Sequence, residues 1–159
     1  MKIRRILFPV LLLLLLVAVL LQRVPKSPPL LRILNEGSGL GHINGSYEWT
    51  YLSLTGHSGT MACGMHPLDY FTGEKPQHAS VGAYQLKFTL PPDELSVCCW
   101  PEKEIGNWEN AEAIELATSD GVIDAVLQVQ PGSYVYQISA DWDGLLYEGT
   151  AEYCLYVKA

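Results

Sequence analysis

Tyr84-Gln85-Leu86-Lys87-Phe88-Thr89-Leu90 decides the fold, because large apolar side chains alternate in it with polar ones. A strand places successive side chains on opposite faces, so this period of two predicts a strand with one buried face. Pro91-Pro92-Asp93 follows and ends the strand, since proline cannot donate to a sheet. A second strand is predicted over residues 95–100, and the short turn between the two predicts a hairpin.

The same alternation recurs on both sides of this stretch. It is present in Tyr47, Trp49, Tyr51, in Tyr134, Tyr136, Ile138, Ala140, Trp142, and in Ala151, Tyr153, Leu155, Val157. Residues 122–129 add a further strand, and residues 111–116 fit either a helix or a strand. About seven or eight short strands without a long helical pattern predict an all-β fold, an antiparallel immunoglobulin-like β-sandwich.

Two tyrosines near the C-terminus sharpen the fold prediction. Pro131-Gly132 forms a turn before a strand that begins with Tyr134 and Tyr136. In immunoglobulin-like domains a tyrosine near such a strand start hydrogen-bonds across a corner. Either Tyr134 or Tyr136 takes that place, or both are ordinary half-buried strand aromatics.

An apolar run over residues 6–21 follows the cationic residues Lys2, Arg4 and Arg5. The uncharged residues 6–22 would span roughly 25 Å as a helix, against a hydrocarbon core of about 30 Å. No small-x-small cleavage site ends the run, and the first cysteine, Cys63, lies too far on for lipidation. The run predicts an uncleaved single-pass anchor in the cell membrane. A cleaved signal peptide and a secreted product are the alternative.

Orientation and boundaries follow from charge and composition. Positive residues flank the run on both sides, so the positive-inside bias is weak, and we expect the C-terminal domain outside the cytoplasm because few residues precede the run. Residues 1–22 are the predicted anchor or signal peptide. Residues 23–46, rich in proline and then glycine, predict a flexible tether, in which Leu30, Leu31, Ile33 and Leu34 could form one turn of helix. Residues 47–159 are the predicted β-sandwich domain.

The charge of the exported part excludes one class of function. Residues 33–159 hold four lysines and seventeen acidic residues, so their formal charge is 4 − 17 = −13. Such a surface repels phosphate backbones. Nucleic-acid binding is therefore excluded.

Several strings resemble a recurring extracytoplasmic domain of clostridial-type Gram-positive lipoproteins and of the outer part of β-lactam-sensor-type membrane metalloproteases. The strings are Tyr47-Glu48-Trp49-Thr50-Tyr51, Gly64-Met65-His66-Pro67-Leu68, Val97-Cys98-Cys99-Trp100, Gly132-Ser133-Tyr134-Val135-Tyr136, Trp142 and Gly149-Thr150-Ala151-Glu152-Tyr153. The resemblance covers residues 47–157. The His-Glu-x-x-His helix of those proteases is absent from this sequence. The resemblance implies an exported β-sandwich appendage from a Gram-positive bacterium, without catalytic residues.

Four cysteines allow three pairings if two disulfides form. They are Cys63, Cys98, Cys99 and Cys154. Adjacent Cys98 and Cys99 would be strained as a pair, and alternation places Cys99 inward. Cys98 and Cys154 both lie off the apolar parity of their strands, so Cys98–Cys154 is the favoured bridge. Four free thiols are the alternative.

Metal and catalytic motifs are weak throughout the sequence. Cys63 and His66 are spaced as two zinc ligands, but two more are required and His66-Pro67 fits a simple turn. Asp141-Trp142-Asp143-Gly144 lacks the frame of a calcium loop, so we predict a hairpin turn there. The histidines have no motif spacing and no Gly-x-Ser-x-Gly elbow occurs. We expect no metal, no cofactor and no enzymatic activity.

The tryptophans supply the candidate ligand surface. Trp49 and Trp142 alternate in step with core residues, so we predict that both are buried. Trp100 and Trp108 flank a loop that carries Glu102 and Glu104. These last four residues are predicted to contact a ligand. The predicted function is a non-enzymatic, membrane-tethered extracytoplasmic module that binds or senses an envelope protein or a glycan. A structural cell-surface protein and a carbohydrate-binding module are the alternatives.

Overall fold

The structure is a computed structural model that describes residues 2–36, 38–120 and 125–159. It consists of a helix α1 (Lys2–Gln22), eleven strands and a short helix α2 (Pro67–Tyr70) within those ranges. The strands are β1 (Leu31–Asn35), β2 (Ser38–Leu40), β3 (Ile43–Ser53), β4 (Gly56–Ala62), β5 (Gln77–His78), β6 (Gly82–Phe88), β7 (Glu94–Pro101), β8 (Ile114–Asp120), β9 (Ala125–Val129), β10 (Ser133–Gly144) and β11 (Tyr147–Lys158).

The strands form two antiparallel sheets packed as a β-sandwich. The smaller sheet has the order β2-β1-β6-β9, and the larger has the order β4-β3-β11-β10-β7-β8. β5 adds to the end of β11 in parallel, with Gln77 opposite Val157. The predicted two-sheet antiparallel architecture is confirmed.

The core between the sheets is built by the alternating residues of the central strands. Tyr84 and Leu86 from the smaller sheet are buried against Trp49 and Trp142 of the larger one. The two indole rings meet edge to face at 5.5 Å. The prediction that Trp49 and Trp142 are core residues is confirmed. Each lies on the inner face of its strand, as the period-two alternation predicts.

The predicted hairpin of residues 84–90 and 95–100 is wrong, because β6 and β7 lie in different sheets. At the start of the connection, the Thr89 nitrogen donates to the Leu30 carbonyl beside the smaller sheet. At its end, the Asp93 nitrogen donates to the carbonyl of Asp141 in the larger sheet. Pro91 and Pro92 between these bonds lack the amide donors that a hairpin ladder needs.

The predicted flexible tether over residues 23–46 is also wrong. Residues 31–35 form β1, with Leu31 and Ile33 buried in the core, so the predicted helical turn at 30–34 is absent. The Tyr153 hydroxyl donates to the Pro29 carbonyl at 2.5 Å, which fixes the proline-rich part. The high glycine and proline content suggested a flexible segment, although residues 31–33 alternate between buried and exposed side chains as in a strand. Gly37 lies outside the described residues.

The strand boundaries decide three smaller predictions. β8 begins at Ile114, so the strand alternative for residues 111–116 is correct from that point. The strand predicted over 122–129 is confirmed from Ala125, and residues 122–124 lie outside the described part. Asp141 and Asp143 belong to β10, and the hairpin turn comes later, at Leu145-Leu146.

The apolar side chains of helix α1 are exposed and do not pack onto the sandwich. From Phe8 to Leu20, exposed leucine, valine and phenylalanine side chains occur on every side of the helix, as for Leu13 and Val17. Burial begins again at Val24, directly after the helix. Within the part of the chain that the structure describes, no helix is both long enough and apolar enough to span a membrane.

Candidate functional site

Trp100 is not a surface residue, which corrects one half of the predicted aromatic platform. Its side chain is only 5% exposed. It belongs to a second apolar cluster on the outer face of the larger sheet, made of Leu68, Phe71, Trp100, Val135, Cys154 and Tyr156. The connection between β4 and β5, which contains α2, covers this face. Outward parity on a strand therefore does not mean exposure here.

Trp108 keeps the exposure predicted for it, at 45%. The imidazole of His66 lies against both indoles: its ring centroid is 5.6 Å from that of Trp108, nearly parallel, and 5.3 Å from that of Trp100, edge to face. His66 Nδ1 also accepts a 3.3 Å hydrogen bond from the Leu68 nitrogen at the start of α2. The predicted turn at His66-Pro67 is thus a helix cap held between two tryptophans.

The two glutamates of the predicted loop contact the protein itself. Glu102 accepts a hydrogen bond from the Tyr156 hydroxyl, which lowers the pKa of that carboxyl below its usual value. Glu104 lies 3.6 Å from the Lys103 ammonium. Of the four predicted ligand residues, Trp108 has the largest exposed apolar surface. The loop itself is held by the contacts of Glu102 and Glu104.

A groove of about 450 Å³ lies elsewhere, on the outer face of β3, β11, β10 and β7. We call it the acidic groove. Its lining residues are Glu48, Thr50, Asp93, Glu94, Asp141, Trp142, Asp143, Glu148, Gly149 and Thr150. Six of these ten residues are carboxylic acids, and none of the ten, all from the described part of the chain, is a lysine or an arginine.

Strand register explains why the carboxylates of the acidic groove come together. Thr150 pairs with Glu48 on one side and with Asp141 on the other, and Asp141 pairs in turn with Glu94. Residues paired across antiparallel strands lie on the same face, roughly 5 Å apart. One row of side chains therefore crosses four strands and carries three carboxylates.

Two internal hydrogen bonds hold the walls of the acidic groove. Asp93 Oδ2 accepts from the Asp143 nitrogen at 2.8 Å, and the Thr50 hydroxyl donates to Glu148 Oε1 at 3.1 Å. Sequence reasoning missed this surface because its residues come from distant strands. The available signal was the alternation of Asp141 and Asp143 with core residues, which places both on one outer face.

The predicted Cys98–Cys154 disulfide does not form, and all four cysteines are free thiols. Gln137 of β10 pairs with Cys98 on one side and with Cys154 on the other. A full strand therefore separates the two thiols, about 10 Å between Cα atoms, whereas a disulfide needs less than about 7 Å. Parity correctly placed both on one face, but it carried no information on strand order.

The thiols differ strongly in environment. Burial, with a smaller contribution from neighbouring acidic groups, raises the pKa of Cys98 to about 11 and that of Cys154 to about 12. Cys99 is buried in the main core and Cys63 is exposed. Within the described ranges, no group of three or more His, Cys, Asp or Glu side chains is placed to hold a metal ion.

Comparisons of the chain with known protein families, with curated proteins and with solved structures found no match.

Proposed function

We propose that this chain is a single-pass membrane-anchored module whose sandwich lies outside the cytoplasm and binds a ligand at the cell envelope without catalysis. The observation that carries the proposal is α1. A continuous exposed apolar surface of this length is costly in water and is covered in lipid. Buried Val24 follows the helix at once, so the anchor would hold the domain close to the bilayer.

The strand order supports an immunoglobulin-like sandwich. Neighbouring strands β1-β6-β9 match the A-B-E arrangement of that fold, and β8-β7-β10-β11 match C′-C-F-G. The β3–β4 hairpin is then an addition at the edge of β11. Tyr136 further supports this assignment, because its hydroxyl accepts a 3.0 Å hydrogen bond from the Gln130 nitrogen. A tyrosine corner has this form.

The resemblance to the extracytoplasmic domain of Gram-positive lipoproteins and sensor proteases agrees with this proposal. Two of its strings coincide with structural features: the one around Trp49 with the centre of the core, and the one ending at Tyr136 with the corner hydrogen bond. We therefore propose the same kind of exported appendage for this chain.

The acidic groove is the surface that best supports ligand binding. It is concave and lies on paired central strands, which hold side chains more precisely than loops do. Six of the ten described residues that line it are carboxylic acids, and none of these ten is a lysine or an arginine. A cationic peptide segment fits this chemistry, since its charges would relieve the repulsion between neighbouring carboxylates and its apolar stems would rest on the groove floor.

Trp108 favours the carbohydrate-binding alternative. Its indole is 45% exposed and nearly parallel to the His66 ring beneath it. A flat aromatic surface of this kind suits stacking against a sugar ring.

Membrane extraction tests the anchor. The full chain is expressed in cells, and the membranes are washed with alkaline carbonate. The test variant is Leu13→Arg/Leu15→Arg, and the control is Leu30→Arg, the same change at an exposed leucine outside the apolar run. Each charge at the centre of a spanning helix costs about 2.5–3.5 kcal/mol, so the double variant should be released and the control retained. A wild-type product that is soluble and begins after Leu21 would contradict the anchor.

Calorimetric titration tests the ligand class. Trilysine peptide is titrated into the detergent-solubilised full chain at low and physiological salt, with Asp141→Asn/Glu94→Gln against the control Glu112→Gln outside the groove. Binding should weaken with salt, disappear in the double variant and persist in the control. Equal binding by all three proteins would refute the groove. Binding to glycan beads that is lost in Trp108→Ala alone would instead select the carbohydrate-binding alternative.

A further inference from the structure

Two exposed methionines flank Cys63, the one exposed cysteine among the four. Met61 is 70% exposed and Met65 is 63% exposed, with exposed Cys63 midway between them. Methionine is ordinarily a buried residue. The chain has three methionines, and the third is Met1, so both methionines of the sandwich lie at this one place.

The backbone at Gly64 lies close against β3. The Gly64 nitrogen donates a 3.1 Å hydrogen bond to the Ser46 hydroxyl, so the chain runs on beside β3 after β4 ends. A Cβ atom on Gly64 would lie 2.7 Å from the Gly45 carbonyl carbon. Position 64 therefore faces the backbone of β3 closely, and only glycine fits there.

The three sulfur residues lie within five positions of one exposed stretch. Ala62 pairs with half-buried Tyr47, whereas Met61, Cys63, Gly64 and Met65 are all exposed. Consecutive Cα atoms are about 3.8 Å apart, so the Cα atoms of Met61 and Met65 each lie within about 8 Å of that of Cys63. Methionine has three rotatable bonds, so each thioether can swing toward the central thiol.

We propose that Met61, Cys63 and Met65 form a three-sulfur site for Cu(I). A thiolate and two thioethers are a soft donor set, which selects Cu(I) over oxygen-preferring cations such as Mg²⁺ or Ca²⁺. Binding exchanges the thiol proton for the metal: the S–H bond breaks, one proton goes to solvent, and a Cu–S bond forms without a change in oxidation state.

Among the neighbouring donors, the His66 Nδ1 is engaged within the protein and the other thiols are buried or partly buried. His66 follows Met65 directly, but its Nδ1 accepts the Leu68 hydrogen bond and its ring is held between two tryptophans. Cys99 and Cys154 are buried, and Cys98 is partly buried on another strand. The soft site lies at the exposed edge and adjoins the acidic groove, because Met61 pairs with the groove residue Glu48. It does not depend on the membrane anchor.

The test is an anaerobic competition titration of the detergent-solubilised full chain with Cu(I) and bicinchoninate, combined with X-ray absorption to count sulfur neighbours. We expect one copper per chain, three sulfur neighbours and one proton released. Cys63→Ser should abolish the site. Met61→Leu/Met65→Leu, which conserves volume, should weaken the affinity at least about tenfold while leaving the melting temperature unchanged.

Cys98→Ala is the matched control, because it removes a thiol that the proposal does not use, and it should bind copper as the wild type does. Any of four results would overturn the site: copper retained by Cys63→Ser, copper lost from Cys98→Ala, an unchanged affinity in the double methionine variant, or one copper bridging two chains. Displacement of Cu(I) by an equal concentration of Zn²⁺ would also overturn the assigned metal.

Discussion

The indole nitrogen of Trp49 donates a 2.9 Å hydrogen bond to the carbonyl oxygen of Pro25. This bond joins the segment behind α1 to the centre of the core, because Trp49 is fully buried and stacks on Tyr147 at 5.6 Å. Pro29 is held in the same way by Tyr153. The proline-rich segment is therefore part of the sandwich, and the helix is joined to the domain without a free linker.

Replacing Trp49 tests this connection. Trp49→Phe removes the hydrogen bond to Pro25 and leaves a small cavity, so we expect a loss of about 2–3 kcal/mol in the free energy of unfolding. Limited proteolysis should also cut residues 23–30 faster. Urea denaturation and mass mapping measure both effects. The same substitution at half-exposed Trp108 is the control and should cost under about 1 kcal/mol. Equal losses at the two positions would contradict a special role for Trp49.

The paired tyrosines of β10 give a second test. Tyr136→Phe removes the hydroxyl that accepts from the Gln130 nitrogen and leaves that amide without this partner, which should cost about 1–3 kcal/mol. Tyr134→Phe changes a half-buried ring of the same strand and should cost under about 0.5 kcal/mol. Chemical denaturation of both variants decides between a corner bond and ordinary packing. A larger effect at Tyr134 would mean that the corner belongs there.

Strand positions were predictable from the sequence where one face is buried and the other is wet. Period-two alternation identified the strands around Leu86 and Ile138 and the core positions of Trp49 and Trp142. Strand order was not predictable, because pairing depends on contacts between distant segments. The wrong hairpin after residue 90 and the wrong Cys98–Cys154 bridge share this cause.

Burial on the outer face of the larger sheet was equally hidden from the sequence. Trp100 and Cys154 lie off the core parity, and solvent was the simplest expectation for them. The chain from Leu68 to Phe71 covers that face instead, over a distance in sequence that no local pattern reports. The acidic groove was missed for the same reason, since each strand contributes one or two carboxylates and only register assembles them.

Thiol reactivity should separate Cys63 from the other three cysteines. The raised pKa values of Cys98, about 11, and Cys154, about 12, keep both protonated and poorly nucleophilic at neutral pH. Cys99 is buried as well. Ellman's reagent at pH 8 should label one thiol per native chain quickly and four after unfolding in urea. Peptide mapping should place the fast label on Cys63. Rapid labelling of two or more native thiols would contradict the burial described here.

Glu102 should control the ionisation of Tyr156. Burial, together with the Glu102 carboxylate that accepts the Tyr156 hydrogen bond and would repel a phenolate, raises the pKa of Tyr156 from its ordinary value of 10.0 to about 12. Glu102→Gln keeps an acceptor but removes the charge, so the pKa of Tyr156 should fall. Tyrosinate absorbance, taken as a difference from Tyr156→Phe in each background, isolates this one ring among the nine tyrosines.

The direction of the stability change follows from the same pKa. Because the folded state holds the Tyr156 proton more tightly than the unfolded chain, its contribution is fully present below pH 10 and is lost as the pH rises toward about 12. Glu102→Gln should reduce the free energy of unfolding that is lost over this pH range, as measured by urea denaturation between pH 9 and 12. Glu104→Gln is the control, because the Glu104 carboxylate instead lies beside Lys103. An unchanged Tyr156 titration in Glu102→Gln, or an equal shift in Glu104→Gln, would show that burial alone sets the pKa of Tyr156.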